Sequence, residues 1–200
     1  MYTGVVLLIA VAILVYFGFA HRALDRLRLN DRAALIFIGA MAGGGFLPDI
    51  PLGRFTAINI GGGLIPLILI GYLYSKARRG EITRSIIAVI ITAAVVYALM
   101  KIIPLEPTYA IFLDPLYIIA IVAGVAGYIS GRSRRGAFIA GTLAIIITDG
   151  LAQLENLIGG VTTNVVIGGA GIFDAVIIAG LLALGLAEVI GEIREKIGAS

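Results

Sequence analysis

Long apolar stretches separated by short charged segments make up almost the whole sequence. An α-helix rises 1.5 Å per residue, so about 20 mostly apolar residues cross a bilayer core of about 30 Å. By this measure the pattern predicts seven membrane-spanning helices. They are Met1–Ala20, Ala33–Pro48, Phe55–Ser75, Ser85–Ile103, Pro107–Gly131, Gly136–Leu154 and Thr163–Ala187. We therefore expect an all-α fold, a polytopic transmembrane helix bundle.

The composition supports this class of protein. Of the 200 residues, 60% are apolar and 14% are charged, whereas soluble domains have about 45–50% and about 25%. The chain has no Cys and a single His, which excludes disulfides, thiolate metal sites and histidine clusters. No carboxylate cluster has the spacing of metal ligands. The sequence therefore indicates no metal and no cofactor.

Basic residues are distributed unevenly between the two ends of the predicted helices. Of 15 Lys and Arg residues, only Arg54 and Lys101 fall on one side, and the other 13 follow the first, third, fifth and last helices. Cytoplasmic loops retain Lys and Arg, so we expect a cell-membrane protein with its N-terminus outside and its C-terminus in the cytoplasm. The basic clusters lack interleaved aromatic residues, which argues against a nucleic-acid partner. The expected partner is the lipid bilayer, and the sequence leaves open whether the chain forms homo-oligomers.

Two glycine-rich segments resemble each other. They are Ile60-Gly61-Gly62-Gly63-Leu64-Ile65 and Ile167-Gly168-Gly169-Ala170-Gly171-Ile172, and each follows a patch of Thr and Asn. This density of glycine predicts broken helix starts, which membranes tolerate where the backbone is buried in protein or lines a wet cavity. By contrast, Gly124, Gly127 and Gly131 are expected to allow close packing of helices.

The similarity predicts a parallel repeat in a single integral membrane domain spanning residues 1–200. Residues 1–80 and 107–200 would be two three-helix units, and residues 81–106 would be the connecting helix. This three-plus-one-plus-three arrangement occurs in small transporters. The alternative is that glycine pairs recur by chance in a chain with 27 glycines.

Four aspartates fall near or inside the predicted hydrocarbon region. Asp174 lies about ten residues into the last predicted helix, about 15 Å from its start, and Asp149 lies about 20 Å along the preceding one. A charge at such depth is costly, so it marks a candidate functional site. Two carboxyl groups brought close there would share a proton. For Asp49 and Asp114 we expect structural roles in a turn and a helix cap.

The candidate proton-, ion- or substrate-binding site is built around these two carboxyl groups. Asn59 and Asn164 are expected to surround the carboxyl pair, together with Thr148 and Gln153, and glycines of the two runs complete the site. The proposed set is Asp174, Asp149, Asn59, Asn164, Gly61, Gly62, Gly168, Gly169 and Gly171.

The two glycine-rich segments, taken as Ile58–Pro66 and Ile167–Asp174, resemble a family of uncharacterised multi-pass membrane proteins of bacteria and archaea. The resemblance covers most of the chain and implies a multi-pass fold with no established activity. It also implies an Asp after a small residue late in the preceding helix, which Thr148-Asp149 matches. Around Leu113-Asp114-Pro115, where the resemblance implies a proline pair, the sequence departs from the family.

Three functions stay open. The first is proton- or cation-coupled translocation of a small solute or ion, with Asp174 as the coupling residue. The second is an intramembrane aspartyl protease with Asp149 and Asp174 as catalytic acid and base. The third is a non-catalytic scaffold or accessory subunit, in which Asp174 hydrogen-bonds another helix, for example at Thr92 or Tyr97.

Overall fold

The computed structural model describes residues 31–102, 115–169 and 174–198. These residues form six α-helices and three short β-strands. The helices are α1 (Asp31–Gly44), α2 (Ile65–Ser75), α3 (Arg79–Ile102), α4 (Pro115–Gly131), α5 (Arg134–Ile158) and α6 (Ala175–Gly198). The strands are β1 (Ile50–Pro51), β2 (Thr56–Ile58) and β3 (Val165–Ile167). The described part of the chain is therefore mainly helical, as the sequence predicts.

Two helices are long and apolar enough to cross a membrane. They are α3 with 24 residues and α5 with 25, which correspond to about 36 Å and about 37 Å of helix. Both match predicted spans, Ser85–Ile103 and Gly136–Leu154. The seven-helix count stays a prediction, and Met1–Ala20 lies outside the described residues.

Two of the predicted spans are wrong in their first half. Residues Phe55–Ser75 do not form one helix, because β2 and a π-helical turn at Ile60–Leu64 precede the 11-residue helix α2. Similarly, Thr163–Ala187 begins with strand β3, and α6 starts only at Ala175. Hydropathy cannot distinguish an apolar strand followed by glycine from the start of a helix, and that ambiguity is the source of both errors.

The three strands form one small sheet that joins the two halves of the chain. Strand β2 pairs with β1 in antiparallel register and with β3 in parallel register, with Ile58 opposite Ile167. The backbone N–H of Asn59 extends the parallel ladder by donating to the carbonyl of Ile167 at 2.9 Å. Because β2 and β3 directly precede the two glycine-rich segments, their pairing brings those segments side by side.

Helices α3, α4, α5 and α6 pack against one another through small residues. A Cβ added at Gly127 of α4 would lie 2.7 Å from the backbone nitrogen of Gly141 in α5, and one at Gly141 would lie 2.8 Å from the carbonyl of Ala179 in α6. Such distances leave no room for a side chain. The packing role expected for the glycines of α4 is thus confirmed, and close backbone approach holds these helices together.

Candidate functional site

Asp174 is the N-cap residue of α6. Its side chain is buried, and its Oδ1 accepts a hydrogen bond from the backbone N–H of Val176 at 3.0 Å. Carboxylates are favoured at this position because the first N–H groups of a helix have no partner within the helix. The expectation that Asp174 lies ten residues inside a helix is therefore wrong. Its carboxyl lies at a helix start.

Asp149 lies on the face of α5 that meets the start of α6. The backbone N–H of Gly168 is hydrogen-bonded to its carboxylate, and its charge interacts with that of Asp174. Gly168 adopts φ +70°, a left-handed conformation that is costly for residues with a Cβ. Glycine at position 168 thus allows the chain leaving β3 to turn its N–H toward Asp149.

The two carboxyl groups line the same cavity, which has a volume of about 290 Å³. Its walls come from α3, α4, α5, β3 and the start of α6. Apart from Thr148 and the two aspartates, the lining side chains are apolar, for example Val96, Ile119 and Val166. The Thr148 hydroxyl donates to the carbonyl of Ala144 in its own helix at 2.7 Å. The aspartates are therefore the ionisable groups of this cavity among the described residues.

The glycine-rich segments contact each other beside this cavity. A Cβ added at Gly168 would lie 2.5 Å from the backbone nitrogen of Gly63, and one at Gly63 would lie 3.0 Å from the carbonyl of Ile167. Gly61 packs in the same way on the end of α1, because a Cβ added at Gly61 would lie 2.8 Å from the carbonyl carbon of Gly44. We call this contact region, Gly61–Gly63 with Gly168, the glycine junction.

Asn59 belongs to the glycine junction rather than to the carboxyl pair. Its side chain is buried, donates to Asp49 Oδ1 at 2.8 Å and accepts from the backbone N–H of Gly62 at 2.9 Å. It therefore caps the π-helical turn and holds Asp49, and this contact supports the structural role expected for Asp49 in the segment between α1 and β1.

The remaining predicted site residues are placed as follows. Asn164 is exposed in the loop before β3, and Gly169 lines the cavity. Gly171 and Asp114 lie outside the described residues. Two side chains named as possible partners of Asp174 bond elsewhere, since the Thr92 hydroxyl pairs with Ser130 at 3.1 Å and the Tyr97 hydroxyl donates to Glu155.

The expectation that Gln153 lies beside the carboxyl pair is wrong, and its actual role was not predicted. This buried side chain donates from Nε2 to the carbonyl of Phe55 at 2.9 Å and to the hydroxyl of Thr56 at 3.1 Å. These hydrogen bonds therefore connect α5 to β2 and the residue before it. Its position four residues after Asp149 puts both side chains on one helix face, but no local spacing indicates partners 97 and 98 residues away in the chain.

A family model described as a protein of unknown function, DUF1614, matches residues 25–186. This range includes the sheet, the glycine junction and both aspartates. Comparison with curated proteins and with solved structures gives no match.

Proposed function

We propose that this chain, which belongs to the DUF1614 family of proteins of unknown function, is a multi-pass membrane protein that moves a proton or small cation. The site would be the pair Asp149 and Asp174. The observation that carries this proposal is the presence of both carboxyl groups in one otherwise apolar cavity.

Exposed apolar side chains support a membrane location. In α3 only 33% of the most apolar 18-residue window is buried, and Ile90 in its middle is 61% exposed. Ile129 on α4 is 65% exposed and Leu154 on α5 is 54% exposed. Soluble monomers rarely leave such extended apolar patches in water. In a bilayer, lipid tails would cover these apolar side chains and keep them out of water.

The ends of the helices support the orientation expected from the basic residues. The first turns of α3 and α5 meet through the ion pair between Arg135 and Glu81, 3.1 Å long. The C-terminal part of α6 joins them through Arg134 and Glu188. At the other end of α3, Lys101 pairs with Glu155 at 2.6 Å. We call the end of the bundle that carries Arg134 and Arg135 the Arg-rich end, and this end would face the cytoplasm.

The two aspartates lie at similar heights above this Arg-rich end. Asp149 follows Arg134 by 15 residues along α5, and Asp174 precedes Glu188 by 14 residues along α6. At 1.5 Å per residue these separations are about 22 Å and about 21 Å. Because Arg134 and Glu188 are paired, the carboxyl groups would occupy one level in the outer half of a bilayer core of about 30 Å.

A pair of carboxyl groups in an apolar cavity favours binding of a single positive charge. Two adjacent carboxylates repel each other, and burial penalises each charge further, so a shared proton or a bound cation lowers the energy. One bound backbone N–H at each carboxyl, from Gly168 and from Val176, supports the charge that remains. A site of this kind can load and release a proton or cation.

The glycine junction supports transport rather than a purely structural role. Discontinuous elements at membrane depth occur where the backbone is buried in protein or lines a cavity, and transporters place their binding sites at such breaks. In both halves, the residue that follows the strand contacts an aspartate. Asn59 follows β2 and binds Asp49, while Gly168 follows β3 and binds Asp149. A parallel repeat would explain this correspondence.

The experiment is proton or cation flux into vesicles that contain the purified chain. We expect Asp149→Asn and Asp174→Asn to abolish flux, because neither amide can carry the charge. Asparagine is an effective N-cap, so Asp174→Asn retains the start of α6. Glu155→Gln is the matched control, since it removes an exposed carboxyl from α5 outside the cavity, and we expect normal flux. Undiminished flux in both aspartate variants would reject the proposed site.

An intramembrane aspartyl protease is the second candidate function, because peptide hydrolysis by such enzymes also needs two adjacent carboxyl groups. The cavity volume of about 290 Å³ is at the lower end of the range for small-molecule sites, which favours an ion or small solute over a peptide segment. Cleavage of an apolar helical peptide that requires both aspartates, without any flux, would establish the protease instead. Folded protein with neither activity would favour a scaffold.

A further inference from the structure

A second cavity lies at the Arg-rich end of the helix bundle, far from the carboxyl pair. It has a volume of about 460 Å³ and lies between the first turns of α3 and the turn that joins α4 to α5. The residues that line it include Arg84, Arg132, Ser130 and Ser133. This cavity is thus polar and carries positive charge.

The charges around this cavity are not balanced within the described residues. Glu81 also lines it, but its carboxylate pairs with Arg135 and accepts the backbone N–H of Arg78 at 3.0 Å. Arg84 and Arg132 make no ion pair within residues 31–102, 115–169 and 174–198. Among the residues that the structure describes, two guanidinium groups are therefore left to attract an anion.

We propose that this cavity binds the phosphate group of an anionic ligand. Guanidinium groups bind phosphate oxygens through paired, charge-assisted hydrogen bonds, and basic pockets between helices at a cytoplasmic surface bind lipid headgroups. The first turn of α5, capped by Ser133, adds the positive end of a helix dipole. The phosphate could belong to a membrane lipid or to a soluble compound, and the experiment distinguishes these sources.

Arg132 provides a variant that removes charge without disturbing the turn. Its φ of 51° is in the left-handed region, which asparagine adopts more readily than arginine. Arg132→Asn therefore fits the backbone and removes the guanidinium group. Arg84→Gln removes the second charge from an exposed helix position. Arg79→Gln is the matched control, because it makes the same charge change at an exposed residue of α3 that does not line the cavity.

The experiment measures the thermal unfolding of the full chain in lipid nanodiscs. In the first arm, phosphatidylcholine discs are compared with discs that also contain phosphatidylglycerol. In the second arm, inorganic pyrophosphate is titrated into phosphatidylcholine discs. We expect a higher unfolding temperature with phosphatidylglycerol if the phosphate comes from a lipid, and with pyrophosphate if it comes from a soluble compound.

The variants test whether this cavity holds the anion. We expect Arg84→Gln and Arg132→Asn each to weaken the stabilising effect roughly fivefold or more in apparent affinity, and Arg79→Gln to leave it unchanged. No stabilisation of the wild-type chain in either arm would overturn the proposal. An equal loss in Arg79→Gln would also overturn it, because surface charge alone would then explain the binding.

Discussion

The contact between the two glycine-rich segments can be tested by adding a single methyl group to Gly168. A Cβ at this position would lie 2.5 Å from the backbone nitrogen of Gly63, and the atoms it meets are backbone atoms that cannot rotate away. The residue also has φ +70°. Gly168→Ala therefore introduces two separate penalties, a backbone strain and a steric overlap.

Gly160 allows these two penalties to be measured separately. It has φ +72°, almost the same as Gly168, but a Cβ there would meet no atom within 4 Å. Gly160→Ala should therefore cost only the left-handed strain of about 1–2 kcal/mol. Gly168→Ala should cost this amount plus about 1–3 kcal/mol for overpacking, or about 2–5 kcal/mol in total.

The assay is the free energy of unfolding of the purified chain in detergent micelles, measured by denaturant titration with circular dichroism. We expect Gly168→Ala to be less stable than Gly160→Ala by about 1–3 kcal/mol. The same variant should also impair flux, since it moves the N–H that binds Asp149. Equal destabilisation by the two substitutions would refute the close contact between the glycine-rich segments.

Two further substitutions test the packing and the capping by the same unfolding measurement. Gly180→Ala would force a methyl group against the hydroxyl of Thr142 and should destabilise the fold by about 1–3 kcal/mol. Gly185 lies in open space on the same helix, so Gly185→Ala should stabilise the fold by up to about 1 kcal/mol. The reverse order of stability would contradict the α5–α6 contact. Asn59→Ala loses the hydrogen bond to Asp49 and the cap on the π-helical turn, and should cost about 1–3 kcal/mol. An unchanged stability of this variant would contradict the role assigned to Asn59.

Long uninterrupted apolar stretches were the most predictable part of the fold. Helices α3 and α5 differ from the predicted spans Ser85–Ile103 and Gly136–Leu154 by one to six residues at each end. Each combines a continuous apolar run with charged residues at its ends, so hydropathy alone locates it. The small sheet was not predicted, because pairing between β2 and β3 joins segments more than 100 residues apart.

The site was predicted in part. The estimate that Asp149 and Asp174 lie at similar depth rests on helix rise, and the structure brings both carboxyl groups to one cavity. The reasoning for Asp174 was wrong in detail, since it placed Asp174 ten residues inside a helix, whereas α6 begins at Ala175 and Asp174 caps it. The contact between Asn59 and Asp49 could not be inferred, because it depends on where α1 ends relative to the glycine junction.

The most direct test of the proposed site is labelling with dicyclohexylcarbodiimide, an apolar reagent that adds to protonated carboxyl groups and rearranges to a stable N-acylurea. Peptide mapping after labelling in lipid vesicles should place the adduct on Asp149 or Asp174, and substituting the labelled residue by Asn should remove it. A bound cation should slow the labelling. Adducts confined to exposed carboxyl groups such as Glu155, with neither aspartate modified, would contradict a proton-binding carboxyl pair in this cavity.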